Sequence, residues 1–174
     1  MRILLFTKTG QRNKGFSLIE LIVAIAIMAI LTGIAAMSYS NLSGAKVSKC
    51  AKELYSSIEN VRASTMGKDS VILTLRRDSS GKYYADTITT SDGTTITSTE
   101  EIGSKKVTVN YTYYDSTTVH SLEADDSITI SFDRGSGALK ADSSGNYLKS
   151  MEITGRGKEY TITFYKNTGN VELE

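Results

Sequence analysis

Proline and tryptophan are both missing from this 174-residue chain, and cysteine and histidine each occur once. A lone cysteine, Cys50, excludes an intrachain disulfide and any Cys-based zinc site. A lone histidine, His120, excludes the two-histidine metal motifs. Without proline no segment has a built-in helix breaker, so a helical pattern continues until another signal stops it. Net charge is nearly absent as well: 20 Lys and Arg against 19 Asp and Glu leave +1. That balance excludes a strongly basic nucleic-acid binder, which needs a surplus of cations to release counterions. Neither a Walker-type glycine loop nor a Gly-x-Ser-x-Gly elbow occurs, which argues against nucleotide hydrolysis and serine hydrolysis. What remains, 40% hydrophobic and 22% charged, is a globular composition at a length that suits one domain.

The charges that are present are segregated. Met1 to Gly15 holds Arg2, Lys8, Arg12 and Lys14 and no acid, leaving 16 basic and 19 acidic residues, or −3, for the other 159. From Phe16 to Met37 only Ser17, Glu20, Thr32 and Gly33 interrupt Leu, Ile, Val, Ala and Met. These 22 residues, at about 1.5 Å each, make a helix of roughly 33 Å, enough to span a bilayer core. The upstream cations predict a cytoplasmic leader and an external C-terminal part. Val47, Ala51, Leu54, Ile58 and Val61 then recur at spacings of three and four among Lys and Glu, an amphipathic stripe. The pattern predicts one helix from about Phe16 to Met66, bent or broken near Gly33 or Gly44 and stopped at Gly67-Lys68-Asp69.

After Ser70 the pattern changes to short alternating runs. Val71, Leu73 and Leu75 mark a first strand, and Tyr83 to Thr89 a second. Val107 to Tyr113, Ile128 to Phe132, Met151 and Ile153, Tyr160 to Phe164, and Val171 with Leu173 follow, with Asn167-Thr168-Gly169-Asn170 as a hairpin turn. The weakly patterned stretch Thr87 to Glu100 reads as an exposed loop. The resulting division is a leader over 1–15, a transmembrane and assembly helix over 16–37, its amphipathic continuation over 38–69, and a β-rich head over 70–174. The fold class is α+β: a long N-terminal α-helix packed on an antiparallel β-sheet head.

Lys14-Gly15-Phe16-Ser17-Leu18-Ile19-Glu20, at the junction of basic leader and apolar helix, resembles the processing site of type IV prepilins and pseudopilins. The resemblance implies that a membrane aspartyl prepilin peptidase cuts between Gly15 and Phe16 and that Phe16 becomes N-methylated. It also implies the pilin fold, no reaction and no cofactor of the chain's own, and a place as a structural subunit of a pilus or pseudopilus. Its partners would be other pilin subunits, an inner-membrane assembly platform and membrane lipid. Its location would be the cytoplasmic membrane and then a cell-surface filament, and the absent disulfide looks like the pilins of monoderm bacteria. A carboxylate in an apolar helix costs roughly 2.5 kcal/mol or more on insertion scales. Glu20 either snorkels at the helix start or, as the resemblance implies, receives the Phe16 amine of a neighbouring subunit. The family's usual proline has no counterpart at Met37. Residues 128–137 and 160–173 look like H-type minor subunits. An ordinary secretory signal cut near Ala36 would explain the leader and helix but not Gly15-Phe16 with Glu20.

Other candidates have plainer readings. Cys50 falls on the stripe and reads as a small buried residue. His120 reads as a solvated or hydrogen-bonded imidazole in a polar loop. Asp125, Asp126 and Asp142 offer carboxylates to calcium but lack the spacing of an EF-hand, and read as solvated turn residues. Gly155-Arg156-Gly157-Lys158 is a compact basic turn. Arg156 and Lys158 are tentative DNA contacts, with Arg76-Arg77 and Lys105-Lys106 joining them if the fold allows. Nucleic acid is the less favoured partner, because the processed chain would be net negative and two cations neutralise few phosphates.

Overall fold

The computed structural model describes residues 16–66 and 70–174, with the backbone alone for 34–43. The leader 1–15, with Gly15, and the expected helix stop at Gly67-Lys68-Asp69 lie outside the described residues. One helix, α1, runs Leu18–Thr65 over 48 residues. It passes through Gly33 and Gly44, so of the bend or break expected near one of them the break does not occur: with no proline, each position keeps its backbone hydrogen-bond donor. The chain divides into two units, Met1–Tyr39 and Ser40–Glu174.

In the first unit every described side chain from Phe16 to Gly33 is exposed, apolar ones on all sides of the helix. Thr32 closes its hydroxyl internally by donating to the Met28 carbonyl at 2.8 Å. The expected span, Phe16 to Met37, extends beyond the described side chains. Among the described residues no helix is long and apolar enough to cross a membrane.

In the second unit Val47, Cys50, Ala51, Leu54, Ile58 and Val61 are buried as one stripe of α1. They share a single apolar core with residues from eight of the nine described strands, the two-residue strand His120–Ser121 contributing none. The nine are β1 (Ser70–Arg77), β2 (Tyr83–Ser91), β3 (Thr94–Gly103), β4 (Thr108–Tyr113), β5 (His120–Ser121), β6 (Ser127–Ser131), β7 (Leu148–Gly155), β8 (Lys158–Phe164) and β9 (Val171–Leu173). β1 shows the alternation that builds the core: Val71, Leu73 and Leu75 are buried while their neighbours are half-buried. The α+β class stands, with an N-terminal helix packed on antiparallel sheet.

Three expectations change. The head holds two sheets, in the orders β3-β2-β1-β6 and β5-β4-β7-β8-β9, rather than one. Alternation reports which face of a strand is buried but not which sheet it joins, so β6 pairing back onto β1 was invisible locally. Thr87 to Glu100 is a β-hairpin rather than a loop, with β2 and β3 in register from Ser91 opposite Thr94. Asp92 and Gly93 both take positive φ (50° and 77°), as a type I′ turn requires. Because Thr94 to Glu101 is exposed, no apolar alternation marked the strand. His120 belongs to β5, and its ring stacks on Tyr111 at 5.3 Å instead of lying in a solvated loop.

Candidate functional site

Phe16 and Ser17 precede α1, and Phe16 is 86% exposed. The Glu20 N–H donates to Ser17 Oγ at 3.4 Å, and the Ser17 N–H donates to Glu20 Oε2 at 3.3 Å. The Ser17 carbonyl accepts from Glu20 N at 3.0 Å and Leu21 N at 3.2 Å. This reciprocal arrangement is a capping box, with Ser17 as the N-cap and Glu20 three residues on. It satisfies N–H groups that an α-helix leaves without partners at its start, and it puts a carboxylate at the positive end of the helix dipole. Sequence reasoning singled out Glu20 and missed Ser17. The signal that would have found it is the Ser-x-x-Glu spacing directly ahead of an apolar run.

The geometry joins three things at one point. An accessible Phe16 sits next to a self-capped helix start, a carboxylate is held one turn into that helix, and an apolar surface follows without a polar face. Backbone outside the helix is the kind of segment a peptidase can bind in extended form. The described apolar side chains from Leu18 to Leu31 are all exposed, and exposed apolar area of this extent is a site for lipid or other helices.

The basic turn is built differently. Gly155-Arg156-Gly157-Lys158 closes the β7–β8 hairpin, with Gly155 opposite Lys158 and positive φ at Arg156 and Gly157. A Cβ on Gly155 would lie 2.6 Å from the Lys106 carbonyl oxygen and 2.8 Å from Val47 Cγ2. One on Gly44 would lie 3.2 Å from Lys158 Cε. The turn therefore packs against the Lys105-Lys106 turn and against α1. Arg76 and Arg77 are engaged elsewhere in the head. Arg76 donates to Asp86 at 2.6 Å and lies over Tyr84. Arg77 donates to the Leu122 carbonyl at 3.1 Å and lies 3.7 Å from Glu123.

The remaining candidates are structural in their contacts. Cys50 is buried, and burial, with Glu53 nearby, pushes its thiol up to about 12. Asp142 Oδ1 accepts from Ser144 N at 2.8 Å and Asn146 N at 2.9 Å, and Asp126 Oδ2 accepts from Glu123 N at 3.1 Å, each within its own turn. Among the described residues no three His, Cys, Asp or Glu side chains are grouped to hold a metal ion.

No curated protein sequence and no solved structure matches the chain. The expected likeness of the C-terminal third to H-type minor subunits gains no support from the family comparison, whose reported match ends at residue 36. That match is to the prokaryotic N-terminal methylation motif over residues 10–36, so the chain opens with the class III signal of type IV prepilins and pseudopilins.

Proposed function

We propose that this chain is a structural subunit of a type IV pilus or a related pseudopilus. One observation carries the reading: the methylation motif runs into the first turns of α1, where the described apolar side chains from Leu18 to Leu31 are exposed on all sides. A signal of this kind implies processing by prepilin peptidase, a membrane-anchored precursor, assembly with other pilin subunits and then a surface filament. At this chain's own residues, cleavage between Gly15 and Phe16 leaves Phe16 as the methylated N-terminus. The segment 16–37 holds the precursor in the membrane and later bundles with its equivalents in the filament centre. Glu20, placed by Ser17, offers its carboxylate to the Phe16 amine of a neighbour, since two charges poor in lipid become compatible when paired. The heads form the outer surface, and a separate ATPase supplies force.

Intact-mass measurement of the membrane and sheared-filament fractions tests this. The expected mass is that of a chain beginning at methylated Phe16, and Gly15→Ala should leave the leader attached. A mature N-terminus near Met37 would instead establish an ordinary secretory signal. A second reading, DNA capture by Arg156 and Lys158, is favoured by the packing of the Lys105-Lys106 turn beside Gly155. It predicts a DNA mobility shift that weakens steeply with salt and is lost in Arg156→Ala/Lys158→Ala.

A further inference from the structure

The four-stranded sheet has two strands at its margins, β3 and β6. β3 is exposed from Thr94 to Glu101 and carries none of the prolines or lysines that blunt an edge. Ile96, the one large apolar residue of that exposed stretch, is 65% exposed. Ile96 lies opposite Thr89, which lies opposite Val71, so Ile96 is on the face of the sheet that carries the core. Ile128 and Ile130 of β6 are on the same face, opposite Leu75 and Leu73.

β6 is half-paired. On the side away from β1, Lys140 N donates to the Ser131 carbonyl at 2.9 Å and Leu139 bridges Phe132. The chain then leaves β6 to form the Asp142 turn, in which Asp142 N donates to the Asn146 carbonyl at 2.9 Å. By the alternation of an antiparallel ladder, Thr129 and Ser127 aim their backbone groups the same way as Ser131. Asp126 keeps the pattern, since its carbonyl accepts from Arg77 N at 3.1 Å on the β1 side. Where the ladder stops there is a cavity of about 360 Å³, with Ile128, Ile130, Leu139, Leu148 and Tyr113 among its walls.

We propose that β3 of one copy of this chain adds to β6 of a second copy, with Thr95 opposite Thr129 and Ile96 seated beside Ile128. The inference rests on the subunit reading and names a head-to-head contact within it. Strand order decides the occupant. In the antiparallel order β3-β2-β1-β6, a repeat of the same head, without turning it over, brings β3 antiparallel to β6 with the core face on the same side. Hydrogen-bond phase agrees. In a two-residue hairpin Thr94 and Ile96 bond inward to β2, so Thr95 and Thr97 point outward, in phase with Thr129 and Ser127. Lys140 on Ser131 bars a register shifted two residues further, which would place Thr95 at Ser131. The contact uses two different surfaces and does not close on itself, the form that builds a filament rather than a dimer. Glu100 and Glu101 run toward Glu123, Asp125 and Asp126, so added salt strengthens the contact, the reverse of a charge-driven one.

Disulfide trapping in the full chain tests it, with Cys50 silent because it is buried. Thr95→Cys/Thr129→Cys should give a ladder of linked oligomers on mild oxidation, both in detergent and in sheared filaments. Thr95→Cys alone should give none. Ile96→Asp added to the pair should cut the ladder at least about tenfold while leaving the thermal melt unchanged, because Ile96 is exposed in the single chain. Incorporation into filaments without a ladder overturns the contact and leaves the subunit reading intact. A ladder in detergent from a chain that never enters filaments supports the contact and overturns the subunit reading. Dimers from Thr95→Cys alone would mean β3 pairs with itself, and would also overturn the proposal.

Discussion

Ser17 and Glu20 give one short segment two separable jobs, and substitution can part them. Glu20→Gln keeps an acceptor for the Ser17 N–H and so keeps the helix start, but removes the charge. Ser17→Ala keeps the charge and removes the cap, at about 1 kcal/mol of local helix stability. If Glu20 pairs with a neighbour's amine, Glu20→Gln is cleaved yet poorly assembled, while Ser17→Ala assembles nearly as wild type. Quantifying both in membrane and sheared-filament fractions decides it; normal assembly of Glu20→Gln would leave capping as the whole role. Gly169 shows a residue chosen by space rather than chemistry. Its φ is 63°, and a Cβ there would run into the Gly137 carbonyl oxygen. Gly169→Ala should therefore destabilise the head by about 2 kcal/mol or more in a denaturant titration.

At the scale of elements, the second half of α1 acts as the wall of the core. Ile58 is fully buried among residues of the stripe and both sheets. Ile58→Asp should unfold the head, and Ile58→Ala should cost about 2–5 kcal/mol by leaving a cavity. Thermal melts followed by circular dichroism measure both, and an unchanged melt would place the stripe outside the core. This helix was legible in the sequence because its period and its burial coincide. The β2–β3 hairpin was not, because Thr and Ser occupy both faces of β3. Only Asp92-Gly93 betrayed it, a turn signal that outweighs the missing alternation. Ser17 was overlooked for a similar reason: its signature is a spacing of polar groups beside a dominant apolar pattern.

For the head as a whole, acid is the revealing stress. The Asp133 carboxyl is held below the ordinary range by hydrogen bonds from Ser136 and Gly135, and Asp78 by Ser80 and Lys82. At Asp86 burial pulls upward, but hydrogen bonds from Arg76 and Thr99 outweigh it. A carboxyl with a lowered folded pKa adds stability above its unfolded value, and that stability is lost as pH falls through the folded value. The melting temperature should thus hold steady down to about pH 4 and drop below it. Glu159, raised by its hydrogen bond with Glu152, works the other way: its penalty is relieved as pH falls through the raised value, before the drop begins. Asp86→Asn should lower the melt at pH 7 and flatten the acid limb; an unchanged acid limb would mean that the pair with Arg76 contributes nothing.

The sequence alone determined the prepilin-like segment from Lys14 to Glu20, the helical pattern after it and the buried stripe. Each depends on residues close together in the chain: a seven-residue motif, an uninterrupted apolar run, a spacing of three and four. Tertiary structure decided the partition into two sheets and the return of β6 to β1. It also placed the Lys106 carbonyl against Gly155 and left the ladder beyond Ser131 unfinished. Strands that share a period of two are interchangeable to local reading, and only the fit of their buried faces selects which one lies beside which.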